Sequence, residues 1–136
     1  MITSFGIIPP FRKLKGKWQV LLIQHLNGQH WGFPKGRAEK TETAQETAIR
    51  ELKEETGLRV ERFLSLEPFI ESYSFQEKRK TVTYFSAFVT GILKCQTDEI
   101  IKANWFDLNE AMKQISFPES KSIFKQARKH LDGYIT

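Results

Sequence analysis

One cysteine in 136 residues, Cys95, leaves the chain unable to close an internal disulfide. That scarcity fits a reducing compartment, and the expected location is cytoplasmic. No base and no second ligand stands near Cys95 in sequence, so it is expected to be structural or incidental. No uninterrupted apolar run approaches the ~18 residues of a membrane-crossing helix, so no membrane partner is expected. The first residues lack a basic segment followed by a long apolar one, which argues against a signal peptide. Internal repeats and low-complexity linkers are missing too. Residues 1–136 are therefore expected to form a single domain, and to act as a monomer.

What is present is ordinary in amount and biased in charge. Apolar residues make up 40% and charged residues 27%, the balance of a soluble globular protein, with 11 Phe available for a core or for stacking. The formal charge of +5 points to anionic partners: nucleotides, polyphosphates or nucleic acid. Two short basic clusters, Arg12-Lys13-Lys15-Lys17 and Lys78-Arg79-Lys80, are too brief for disordered basic tails.

Taken in order, Ile2 to Ile8 reads as a strand stopped by Pro9-Pro10. Trp18 to His25 is rich in β-formers and bounded by Gly16 and Asn27-Gly28. Trp31-Gly32-Phe33-Pro34-Lys35-Gly36 reads as a tight loop. A helix follows from about Thr43 to Thr56, with Thr41 or Thr43 as its N-cap and Gly57 at its end. Arg59–Leu66 and Pro68–Phe75 read as strands, as does Thr81–Val89. The last places Val82, Tyr84, Ser86 and Phe88 on one face and Thr83, Phe85, Ala87 and Val89 on the other. A short strand at Ala103–Phe106 and helices at Asn109–Ile115 and Pro118–Leu131 complete a mixed α/β order.

The chemistry concentrates in the first helix. Glu51, Glu54 and Glu55 stand at i, i+3 and i+4, on one side of the cylinder. Like charges so placed repel, and a hard divalent cation such as Mg²⁺ or Mn²⁺ would reconcile them. Ala44, Ala48 and Leu52 form an adjoining apolar stripe, so the helix can lie on a sheet while its acids line a cleft.

Gly36, five residues, Glu42, seven residues, then Arg50-Glu51-Leu52-Lys53-Glu54-Glu55-Thr56-Gly57-Leu58 together resemble the Nudix box at every defining position. The resemblance implies an α/β/α sandwich with a mixed central sheet and metal-dependent hydrolysis of a phosphoanhydride. It implies metal ligands at Gly36 (through its carbonyl), Glu51, Glu54 and Glu55. Arg50 is then expected to orient Glu51 or Glu42 rather than to touch phosphate. Glu51, Glu54 and Glu99 remain alternatives for the general base, and Glu99 is also a candidate ligand.

Outside the box, Trp31-Gly32-Phe33-Pro34-Lys35-Gly36 and Lys80-Thr81-Val82-Thr83-Tyr84-Phe85-Ser86-Ala87 are similar to segments of the asymmetrical dinucleoside tetraphosphate (Ap4A) hydrolases. In that group a tyrosine stacks on adenine, which implies this role for Tyr84, with Phe117 or Phe124 as the second aromatic. Lys35, Arg37 and Lys80 would then face phosphates. Arg37-Ala38-Glu39 departs from the group's usual His-Val-Glu, and its guanidinium suits phosphate. His25 and His30 are expected at the surface or at strand ends. Diadenosine tetraphosphate, split to ATP and AMP, is the expected substrate. The alternative is an RNA 5′-end pyrophosphohydrolase, although the sequence shows no extended basic-aromatic track for a single strand. A non-catalytic nucleotide-binding module is a third reading, opposed by the intact Arg50, Glu51, Glu54 and Glu55.

Overall fold

The computed structural model describes residues 2–64, 67–95 and 97–132. Strands β1 (Ile2–Leu14), β2 (Lys17–His25), β3 (Trp31–Gly32) and β4 (Lys35–Gly36) precede helix α1 (Ala44–Thr56). Strands β5 (Arg59–Phe63), β6 (Phe69–Phe75), β7 (Lys78–Thr90) and β8 (Ile100–Asp107) lead to helices α2 (Leu108–Gln114) and α3 (Pro118–Asp132). The strands join in one sheet of order β3-β2-β1-β7-β5, with β4 paired to β1, β6 to β7 and β8 to β2. The sheet is mixed, because β1 and β7 run parallel while β2 runs antiparallel to both β1 and β8.

Alternation along the strands builds two cores. Val20 and Leu22 of β2 and Val82 and Tyr84 of β7 face Ile123, Phe124, Ala127 and Leu131 of α3. Leu21, Phe85, Ala87 and Val89 face Ala48 and Leu52 of α1. Val20 to Ile23 are all fully buried, as a strand covered on both sides must be. The result is an α/β/α sandwich, with the two faces of β7 divided as its alternation predicts.

Helix α1 starts on a capping box in which the Thr43 side chain accepts from the Glu46 N–H and the Glu46 side chain accepts from the Thr43 N–H. It ends at Gly57, whose φ of 77° a glycine adopts without steric cost and whose N–H closes on Lys53. Thr43 is thus the cap, not Thr41.

Other boundaries differ from expectation. β1 does not stop at Pro9-Pro10; it continues to Leu14, and its pairing with β7 shifts register between Ile7 and Pro10. Prolines lack the N–H a regular ladder needs, and a bulge is where a strand tolerates them. The expected loop at 31–36 contains two ladder segments, Trp31–Gly32 on β2 and Lys35–Gly36 on β1. Gly6 permits the second, since a Cβ there would collide with the Pro34 carbonyl oxygen. β5 ends at Phe63, and residues 65 and 66, expected in that strand, lie outside the described residues. β8 begins at Ile100, three residues earlier than expected, because its pairing with β2 extends to His25.

Candidate active site

Burying Ala48 and Leu52 turns the acidic side of α1 toward the sheet edge where β3 and β4 lie. Arg50 is the hub of that side. Its Nε donates to Glu42 Oε2 at 2.6 Å and its Nη2 to Glu42 Oε1 at 3.0 Å, a two-point grip. Nη2 also donates to the Arg37 carbonyl at 2.8 Å, and Nη1 to Glu51 Oε1 at 3.0 Å and Glu54 Oε2 at 3.1 Å. The grip lowers the Glu42 carboxyl to about 2 and raises Arg50 above its usual value. Arg50 therefore orients carboxylates and pins the loop at Arg37.

Glu55 points the other way. It is buried, its Oε1 accepts the Lys35 N–H at 3.0 Å, and this bond ties β4 to the helix. Burial pushes its carboxyl up to about 8, aided by the negative charges of Glu51 and Glu99. Burial also raises Glu51, against the pull of Arg50. Gly36 lies against Glu51 so closely that a Cβ would overlap its carboxylate.

Among the described residues no three acidic, imidazole or thiol groups already converge as a closed metal shell. Arg50 draws Glu51 and Glu54 toward itself, and Glu54 is half exposed. The donor chemistry nevertheless fits a divalent cation. Glu99 raises the charge cost of both Glu51 and Glu55, and Glu51 adds to that of Glu55; crowded hard oxygen donors are what such ions bind.

Beside these acids lies a cleft of about 590 Å³ whose lining includes Lys35, Arg37, Lys80 and Glu99. Lys35 Nζ donates to the Tyr73 hydroxyl at 2.9 Å. Phe117 stands exposed on the rim, its ring 4.9 Å from that of His30. His30 in turn stacks on His25 at 4.5 Å. Burial, then neighbouring His30 and Lys35, lowers His25 to about 3; burial and Lys35 lower His30. Both rings are neutral near pH 7 and can stack without repulsion.

Two expected aromatics need correction. Tyr84 does line the cleft, as part of its inner wall, but it is 2% exposed and edge-on to Phe33 at 6.0 Å and 74°, so neither face is open to a base. It shares its side of β7 with Val82, and that side meets α3. Burial, then Glu71, lifts its hydroxyl well above its usual value. Phe124 is wholly buried beside Phe33, so of the two helical-region candidates only Phe117 lines the cleft. Three features escaped the sequence. His25 and His30 are cleft residues rather than incidental strand-end ones. Tyr73 reaches the cleft because β6 pairs it with Lys80 across β7. Buried Glu71, which accepts from Ser120 at 2.8 Å, lines the inner wall. Alternation along residues 71–73 placed Glu71 and Tyr73 on one face and was the available signal.

Oriented carboxylates beside a cation-lined cleft define a hydrolase of anionic substrates. The NUDIX domain profile matches residues 3–127, and the chain belongs to the Nudix hydrolase family, whose members generally use divalent metals. It is 33% identical over 118 residues to the asymmetrical bis(5′-nucleosyl)-tetraphosphatase of Rattus norvegicus, a match spanning 83% of this chain and 80% of that one. It is 31% identical over 138 residues to the enzyme of the same name from Caenorhabditis elegans, spanning 98% and 100%. A crystal structure of a C. elegans Ap4A hydrolase binary complex superposes with a TM-score of 0.87 at 27% identity, over 98% of this chain and 99% of that one.

Proposed function

We propose that this chain, acting as a monomeric single-domain cytoplasmic enzyme, hydrolyses bis(5′-nucleosyl)-tetraphosphate to ATP and AMP with Mg²⁺, or Mn²⁺ in its place. The observation that carries the reading is the placement of the Arg50-oriented carboxylates beside a cleft with three cations and an exposed aromatic rim. The relatives with the matching activity support the choice of substrate.

Glu51, Glu55, Glu99 and the Gly36 carbonyl would hold the cation, with Glu54 swinging from Arg50 to join them. Held there, a divalent cation would supply charge neutralisation at phosphorus and a lowered pKa for bound water. The protein's own groups do the rest. Lys35, Arg37 and Lys80 hold the polyphosphate. Phe117 and His30 offer flat faces to a base. A carboxylate of Glu51, Glu54 or Glu99 takes the water's proton, and the leaving nucleotide departs as a phosphate anion, so no acid is needed to protonate it.

The test is a panel of diadenosine tetraphosphate, triphosphorylated RNA, ADP-ribose and oxidised dNTPs, each with Mg²⁺ and with products identified. Preferred cleavage of the first supports the reading; action on RNA alone replaces it with an RNA 5′-end pyrophosphohydrolase. Glu54→Gln should abolish turnover, and full turnover by that variant would sink the mechanism. Gln variants of the three acids separate base from ligand. Of the three, the base is the one whose Gln variant lowers kcat by about 10²–10⁴ with the smallest loss of the melting shift caused by Mg²⁺.

A further inference from the structure

At the far end of the sheet from the catalytic cleft, β1, β2, β5, β7 and β8 line a second, open hollow of about 510 Å³. The two cavities share no lining residue. On β7, Tyr84 belongs to the first and Phe88 to the second, about 13 Å further along the strand at ~3.3 Å per residue.

The second cavity gathers aromatic rings and cations that are scattered in sequence. Trp18 and Phe88 stack at 4.9 Å with planes 22° apart. Arg12 Cζ lies 4.1 Å from the centre of the Trp105 ring, Arg62 Cζ 4.7 Å from that of Phe88, and Lys13 Nζ 5.5 Å from that of Trp18. Three cation–ring contacts thus meet around one hollow. Arg12 Nε donates to Gln19 Oε1 at 2.9 Å, which sets the guanidinium plane on the indole. Partial burial lowers Arg12 from its usual value, and among the described residues it makes no ion pair. Glu61 is the one acid in the lining.

A guanidinium stacked on an aromatic ring presents its N–H edge to an anion, and the fork matches phosphate oxygens. Bases stack on aromatic and on guanidinium planes alike. The volume lies within the ~300–1,000 Å³ of small-ligand sites. We propose that this hollow is a second nucleotide site, which takes a nucleoside 5′-phosphate away from the catalytic cleft. The ligand is either a free mononucleotide or one nucleotide unit of single-stranded RNA, since both offer a base and a phosphate.

The experiment titrates the intact protein with AMP, which has no anhydride to cut, and separately with a short 5′-hydroxyl oligoadenylate. Indole fluorescence of a Trp31→Phe background reports on Trp18 and Trp105 alone, and calorimetry gives the affinity. The expected result is quenching on binding that Arg12→Ala/Arg62→Ala weakens by at least about tenfold. That variant should keep kcat/KM for hydrolysis and its melting temperature, and Phe117→Ala should leave the quenching in place. Binding of AMP identifies the free nucleotide, and binding of the oligoadenylate alone identifies RNA. Should the double variant not fold, Arg62→Gln replaces it, with the same direction expected. Absence of binding by both probes, or binding indifferent to Arg12 and Arg62, overturns the proposal.

Discussion

Arg50 grips Glu42 through two donors, at 2.6 and 3.0 Å, and from that anchor reaches Glu51 and Glu54 with its remaining nitrogen. The pair makes Arg50 a positioning residue, because its guanidinium is committed to carboxylates and to the Arg37 carbonyl rather than to the cleft. Arg50→Lys keeps the charge but loses the fork. Disrupting such orienting contacts lowers activity by about 10–100-fold. Steady-state kinetics should show that loss mainly in kcat, with KM little changed.

Glu55 predicts a pH dependence. In the metal-free protein its carboxyl is raised from 4.5 to about 8. A raised carboxyl binds its proton more tightly folded than unfolded. Its contribution to stability is therefore complete below 4.5 and is lost as pH rises toward 8. Melting curves with chelator should fall across that window in the wild type and fall less in Glu55→Gln. Saturating Mg²⁺ should raise the melting temperature most at the alkaline end. At about 100 times Kd the gain is about 2.7 kcal/mol.

Phe117 and Phe124 should separate by phenotype. Phe124 is fully buried, and its truncation to Ala costs about 3–5 kcal/mol, read as a lower denaturation midpoint. Phe117 is exposed at the rim. Phe117→Ala should leave the midpoint almost unchanged and raise KM.

Gly36 touches Glu51 with no room for a methyl group. Gly36→Ala should displace that carboxylate, cutting activity by at least about tenfold and weakening the Mg²⁺-induced melting shift. Comparison with Lys53→Ala, an exposed change on the same helix, gauges any general loss of stability.

The sequence made α1 legible because its information is local. The i, i+3, i+4 acids, the Thr43 cap and the Gly57 stop all act within a few residues. β7 was legible for a similar reason: alternation assigns side chains to faces without knowledge of the fold. Alternation puts Tyr84 beside Val82 but does not say that α3 covers that face as α1 covers the other, so the stacking role that the resemblance implies meets a ring buried in the cleft wall. The extension of β1 past Pro9-Pro10 depends on its partner β7, at a distant point in the chain. His30, Tyr73 and Phe117 meet only after β2, β6 and the start of α3 assemble around one cleft. Arg12, Trp18, Arg62, Phe88 and Trp105 likewise become a basic-aromatic surface only when their strands converge, so no track could be seen in sequence.

The most direct measurement is product analysis of diadenosine tetraphosphate after incubation with Mg²⁺, alongside a chelator control. ATP and AMP are expected in equal amounts, with no turnover under chelation. Two ADP molecules, or an intact substrate in the presence of Mg²⁺, would contradict it.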